Sequence, residues 1–257
     1  MADLSFYRSA DPFARVQRQA IFLLVPLVAT AVVATHWLSE LAGATQTLAA
    51  PALTAFLCLA GATAILAGLR PAHHPHDRLG PANGITFTRA AVVAAMAGLM
   101  ATPTLAVGPG ALAWSLVAMA GLVLLLDGID GWAARRSGLA SRFGARLDVE
   151  TDVAFALVMA GLAISAEKVG FWFLALGLLR PMFLFAAHFF RCLRADLPHS
   201  QRRRMVAGLQ MGAQVAILAP IVSPLVSTVL GAGVLTLVVW SFTVDIRALL
   251  SGNERAA

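Results

Sequence analysis

Four aspartates, Asp127, Asp130, Asp148 and Asp152, fall within 26 residues of a chain in which only 12% of residues are charged. Spacings of three and four put each pair on one face of a helix. Carboxylates gathered in that number repel one another unless a cation lies among them. Oxygen-only donor sets suit Mg²⁺, Mn²⁺ or Ca²⁺, and two divalent ions held by shared carboxylates are a common device for phosphoryl transfer. Between the pairs, Gly131, Ala134, Gly138 and Gly144 are small enough to let a ligand or a second helix approach the backbone. Arg135 and Arg136 carry charge suited to phosphate. The residues alone leave two other uses open. One is an Asp-lined path for protons or cations. The other is close helix packing with interfacial arginines.

The elements that position these residues are membrane helices. The chain has 257 residues, 59% of them hydrophobic, which excludes a soluble enzyme, a disordered chain and a coiled coil. Long apolar runs, rather than alternating ten-residue strands, make the spans helical. Runs of about 20 apolar residues predict crossings at 19–39, 41–69, 83–103 and 110–130. Four more are predicted at 147–166, 171–190, 204–220 and 225–245. Pro103 with Gly108-Pro109-Gly110, and Pro220 with Pro224, break two runs that are too long for one crossing. The expected fold is therefore all-α and polytopic, with about eight transmembrane helices. Both Asp pairs then meet at one membrane face, at the end of the fourth span and the start of the fifth.

Orientation follows from the basic residues. With the N-terminus in the cytoplasm, the inner segments hold Arg8, Arg15, Arg18, Arg70, Arg78, Arg135, Arg136, Arg142, Arg146, Arg191, Arg194, Arg202, Arg203, Arg204, Arg247 and Arg255. The outer loops hold only Lys168. This bias supports an even number of spans and a site facing the cytoplasm, as expected in a bacterial inner membrane. It also explains the net charge of +6 without nucleic acid. A cleaved signal peptide over 1–35 fits less well, because the apolar run is too long. Cys58 and Cys192 lie far apart and suggest neither a disulfide framework nor a zinc site. His73, His74 and His76, in the basic segment 70–82, offer metal ligands but read more simply as a solvated loop.

Read in full, the motif is Asp127-x2-Asp130-Gly131-x2-Ala134-Arg135-x8-Gly144-x3-Asp148-x3-Asp152. It resembles the defining pattern of the CDP-alcohol phosphotransferase family, class I, at every position. The resemblance implies six spans around the motif, which joins the second and third. Residues 83–250 would be that catalytic bundle, and 1–82 an accessory transmembrane hairpin with a basic linker. It implies transfer of a phosphatidyl or other substituted phosphate group from a CDP-linked lipid, commonly CDP-diacylglycerol, to a small polar alcohol, with release of CMP. It also implies Mg²⁺ or Mn²⁺, with two ions expected, and a homodimer among membrane lipids. By position, Asp127, Asp130 and Asp148 would hold metal at the donor diphosphate. Asp152 would be the general base and a further metal contact. Gly131, Ala134, Gly144 and Arg135 would form the nucleotide pocket.

Upstream, Asn83-x2-Thr86-x2-Arg89 resembles the opening of the first catalytic helix in several members. It adds Asn83 and Thr86 as nucleotide contacts and Arg89 as an acceptor contact, although N-cap chemistry alone explains an Asn or Thr there. Arg180 lies inside the sixth span and should face the bundle interior, to bind an acceptor phosphate or to brace an aspartate. Arg202, beside Arg203 and Arg204, could grip an anionic acceptor or simply meet anionic lipid. Members using glycerol 3-phosphate often carry a Gly-Lys-x-Lys-Thr-like run. The comparable Ala207-Gly208-Leu209-Gln210-Met211 has no lysine, so that acceptor is disfavoured. Glu150 is expected to meet a neighbouring arginine. An inactive member of the family and an Asp-lined transporter are the competing readings. A transporter is expected to show repeated halves, and none is visible in the sequence.

Overall fold

The computed structural model describes residues 12–44, 48–102, 110–190 and 200–254. Among them are eight α-helices and no strand. The first four are α1 (Pro12–Leu41), α2 (Ala49–Gly68), α3 (Pro81–Leu99) and α4 (Ala111–Ser137). After them come α5 (Arg142–Ser165), α6 (Ala175–Phe189), α7 (Gln201–Leu218) and α8 (Pro224–Glu254), with a 3₁₀ turn, Phe171–Leu174, leading into α6. Each predicted span has its helix. Six helical segments are long and apolar enough to cross a membrane, and the chain is an integral membrane protein. The helices that miss this measure are α5 and α7. The first three turns of α5 carry Arg142, Arg146, Asp148, Glu150 and Asp152, and α7 opens on Arg202, Arg203 and Arg204. The break expected at Pro103 and Gly108-Pro109, together with Arg8, Arg191, Cys192, Arg194 and Arg255, lies outside the described residues.

The described chain divides into two compact units. The first holds α1, α2, α3, the motif half of α4 and α5 as far as Asp152. In lipid, helices associate through close packing and polar contacts rather than hydrophobic burial, and this unit shows both. A Cβ at Gly98 of α3 would lie 1.9 Å from Thr54 Oγ1 and 2.8 Å from the Ala50 carbonyl of α2, so only glycine permits the approach. Thr54 in turn donates to Thr35 Oγ1 of α1 at 3.1 Å. Buried Cys58 packs beside Ala31 and Ala95. Nearer the motif, Val16, Leu69, Leu79 and Phe87 enclose Phe143 and Leu147, from the first turns of α5.

The second unit holds the rest of α4 and α5 with α6, α7 and α8. Ala160, Ala163, Phe173, Ile217 and Val234 form its core. Two glutamines of α7 act as polar pins: Gln210 donates to the Leu176 carbonyl and Gln214 to that of Ala156, both at 3.0 Å. At one end of the α7–α8 hairpin, Arg202 donates to the Ser241 carbonyl at 2.6 Å and to Asp245 at 2.5 Å. Its guanidinium lies 5.5 Å from the Trp240 ring centroid. At the other end, Lys168 Nζ donates to the carbonyls of Ala219 and Val222, and burial holds its ammonium below the ordinary lysine range. Arg180, expected to face the bundle interior, belongs to this unit and lies on α6. Its side chain is exposed, one position before Pro181.

Candidate active site

α4 continues past the predicted end of its span, to Ser137. Asp127, Asp130, Gly131, Ala134 and Arg135 therefore all ride on one helix. α5 starts at Arg142, so Asp148 and Asp152 sit in its second and third turns. The short connector folds the two helix ends together, and all four carboxylates converge on one group, the guanidinium of Arg89. Its Nη1 lies 2.7 Å from Asp130 Oδ2 and 2.6 Å from Asp148 Oδ1. Its Nη2 lies 2.6 Å from both Asp127 Oδ1 and Asp152 Oδ1. The planar fork of arginine suits such multiple contacts, which the point charge of lysine would not reproduce. Even so, one guanidinium against four ionised carboxylates leaves the cluster strongly anionic.

Exposure divides the cluster. The side chains of Arg89 and Asp130 are 1% and 7% exposed, whereas those of Asp127 and Asp148 are 39% and 41% exposed and that of Asp152 is 24% exposed. Arg89 and Asp130 thus form a floor, on which Thr86 also donates to Asp130 Oδ2 at 3.3 Å. Asp127, Asp148 and Asp152 form the open side. One oxygen from each of these three lies within 4.8 Å of the others. Three hard oxygens this close can be drawn onto one divalent ion, whose bonds are about 2.1 Å for Mg²⁺. The donor set therefore fits a divalent ion.

The remaining sequence candidates take varied places. Asn83 is buried and donates to the Leu79 carbonyl. A Cβ at Gly144 would come within 2.7 Å of Asn83 Oδ1, so this motif glycine is where α5 crosses the start of α3. Thr86 shares its one hydroxyl hydrogen between Asp130 and the Ala82 carbonyl, 3.0 Å away. Asn83 and Thr86 are therefore engaged inside the protein. Gly131 and Ala134 are half-buried and Arg135 is exposed, while Arg136 stacks 5.2 Å from the Trp132 ring centroid. Glu150 accepts from Arg146 at 2.7 Å, the arginine contact expected of it. The His segment is not a solvated loop throughout. His74 is 1% exposed, and His74 and His76 both hydrogen-bond around the α4–α5 connector. Among the described residues, the one acidic or histidine group able to hold a metal is the aspartate cluster.

Sequence reasoning demanded a cation among the carboxylates but did not identify Arg89 as one. The available signal was its alignment with Asn83 and Thr86 at intervals of three, on the face that turns to the site.

Fold and site define a helical membrane protein with a carboxylate centre suited to divalent metal at the end of two adjoining helices. The family model for CDP-alcohol phosphatidyltransferase matches residues 79–244, well over half the chain and all four aspartates. The chain belongs to the CDP-alcohol phosphatidyltransferase family, a group of transferases for phosphate-linked groups of CDP-alcohols that typically depend on divalent metal. No significant match was found among curated proteins or among solved structures.

Proposed function

We propose that the protein transfers a phosphatidyl group from a CDP-linked lipid, such as CDP-diacylglycerol, to a small polar alcohol and releases CMP, as a step in phospholipid biosynthesis. The observation that carries this reading is the open triad of Asp127, Asp148 and Asp152, gathered round one point and still anionic after its pairing with Arg89. Asp127, Asp148 and Asp152 would hold divalent metal, Mg²⁺ or Mn²⁺ and two ions in all, which would supply neutralising charge for the diphosphate and the leaving phosphate. Thr86 and Arg89 both bond to Asp130 Oδ2, so Oδ1 is the atom it would offer as a fourth ligand.

Catalysis is then mainly positioning and electrostatics. Asp152 takes the proton from the acceptor hydroxyl. The acceptor oxygen bonds to the lipid-bearing phosphorus as the bond to the CMP oxygen breaks, with no covalent enzyme intermediate. Gly131, Ala134 and Gly144 give the nucleotide access to the backbone, and Arg135 supports it. Asn83 and Thr86 serve the nucleotide from beneath, through Gly144 and Asp130. Arg180, exposed and without a partner among the described residues, suits an anionic acceptor. Arg89 and Arg202 already hold carboxylates, and each would reach an acceptor only by releasing them. The proposed setting is a homodimer in a bacterial inner membrane, with the site facing the cytoplasm. Residues 83–250 carry the chemistry and 1–82 form an accessory hairpin and linker.

The test is incubation of the purified protein with labelled CDP-diacylglycerol, divalent metal and a panel of alcohols. CMP release should depend on one alcohol, stop in EDTA and return with Mg²⁺ or Mn²⁺. Full activity in chelator, or no alcohol-dependent release across the panel, would overturn the proposal.

A further inference from the structure

The segment between α2 and α3 begins outside the region matched to the family, yet it is bonded to the motif. The Phe143 N–H donates to the His73 carbonyl at 3.0 Å, and His76 Nε2 lies 3.1 Å from the Ala140 carbonyl. Between them, His74 Nδ1 lies 3.0 Å from Ser141 Oγ and Nε2 lies 2.9 Å from the Arg78 carbonyl. His74 is among the largest fully buried side chains of the protein. Its ring meets Phe143 edge-on, with centroids 6.1 Å apart.

The partners fix the direction of every bond. The Arg78 carbonyl can only accept, so Nε2 carries the hydrogen. Nδ1 is then a lone pair and accepts from the Ser141 hydroxyl. Ser141 Oγ, in its turn, accepts the Gly144 N–H at 3.1 Å. This last bond is an N-cap, since Ser141 immediately precedes α5 and Gly144 is its third residue. Gly144, Asp148 and Asp152 follow at intervals of four, along one stripe of α5. The other end of the segment is anchored as well, because the Leu79 N–H donates to Gln19 Oε1 of α1 at 3.0 Å.

We propose that His74 is a positioning residue: by orienting the Ser141 cap, it sets the height and rotation at which α5 presents Asp148 and Asp152 to Asp127. The α1–α2 hairpin then has a task, which is to hold the segment that holds the cap. This inference rests on the proposed function for what the carboxylates do, but not for how they are held.

The test uses the full chain with His74→Asn, His74→Gln and Ser141→Ala. Asparagine places an oxygen near the Nδ1 position and keeps the bond from Ser141. Glutamine reaches the Nε2 position and keeps only the bond to Arg78. Mn²⁺ binding is read by electron paramagnetic resonance, and kcat at saturating metal by CMP release. His74→Gln and Ser141→Ala should each lose about 10- to 100-fold in Mn²⁺ affinity or kcat, the range for groups that orient metal ligands, while His74→Asn stays close to wild type. Ser141→Ala keeps the test decisive if His74→Gln does not fold. Hydrogen exchange over residues 142–148 should accelerate in the same two variants alone. Unchanged exchange in both, or unchanged Mn²⁺ affinity and kcat with only a lower Tm, would overturn the positioning role. If wild type turned over no CDP-lipid, the proposed function would fail, while the order of Mn²⁺ affinities and the exchange data would still decide the cap.

Discussion

Arg89 neutralises part of the charge that a divalent ion would otherwise have to offset. Its removal should therefore make folding depend on metal. In Arg89→Gln the four carboxylates lose the guanidinium held 2.6–2.7 Å from each, and the variant should be markedly destabilised in EDTA. Breaking a buried pair by removing one partner costs about 3–5 kcal/mol. Saturating Mn²⁺ should recover much of this, since a ligand at 100 times its Kd contributes about 2.7 kcal/mol. Wild type should gain less. Melting curves with and without Mn²⁺ would check this, and equal gains in both proteins would refute it. A second residue-scale prediction separates base from ligand. Asp152→Asn should lower turnover about 10²- to 10⁴-fold with donor binding nearly kept. Asp127→Asn should instead weaken metal and CDP-lipid binding together. Titration of Mn²⁺ and donor against both variants distinguishes them, and equal losses would make Asp152 mainly a ligand. At this scale the sequence made the aspartates legible through type and spacing. It could not show that the required cation is partly built in, because Arg89 reaches Asp148 across 59 positions of chain.

α5 is the element on which the site turns, and its entry is fixed from two sides. Beneath it, Gly144 meets Asn83 so closely that an added Cβ would lie 2.7 Å from Oδ1. Asn83 is 4% exposed and cannot easily yield. Gly144→Ala should cost about 1–3 kcal/mol, the range for overpacking, and should shift α5 enough to reduce turnover. The double variant Asn83→Ala/Gly144→Ala should regain much of the lost Tm. A double variant no more stable than the single one would show that the contact is not the cause. Around the entry, burial holds the His74 imidazole below its ordinary range, opposed by its bond to the Arg78 carbonyl and assisted slightly by His76. The fold therefore uses neutral His74, while the unfolded chain takes up a proton near pH 6.5. Stability from this group is full above that pH and is lost as the pH falls through it. The Tm of wild type should thus drop more between pH 7.5 and 5.5 than that of His74→Asn, and parallel slopes would remove His74 as the cause. Helices were legible as apolar runs closed by Pro, Gly or charge. Their ends were less so. α4 outran its span because Trp132, Ala133 and Ala134 continue a good helix beyond the apolar stretch, up to Gly138, whose φ is +67°. The segment 70–80 read as a loop because only tertiary contacts, 64 and 67 positions away, bury or bond its histidines.

Across the whole molecule, charge bias and hydrogen bonding sort the connections in the same way. Segments that the arginines assign to the inside meet one another within each unit, as His74 meets Ser141 and Arg202 meets Asp245. Lys168, assigned outside, meets the α7–α8 connector, also assigned outside. Arg180 is the charge whose partner the described residues do not supply. The cost of an unpaired charge in lipid argued for an inward side chain, but exposure shows only that its partner is not among the described residues. Charge also explains why α5 and α7 fall short as apolar spans: each opens on ionic residues and ends on small or apolar ones. If both still cross, cysteines placed at their two ends must lie on opposite membrane faces. In a background lacking Cys58 and Cys192, Ala140→Cys and Gln201→Cys should react with an impermeant thiol reagent only in inverted vesicles. Glu167→Cys and Ile221→Cys should react in intact cells. All four side chains are exposed, so protection reports the membrane and not packing. Reaction of Ala140→Cys and Glu167→Cys from the same face would mean that α5 does not cross. The corresponding result for Gln201→Cys and Ile221→Cys would remove α7. Either outcome alone would make the number of crossings odd and put the termini on opposite sides, against the cytoplasmic placement of both that the arginine bias predicts.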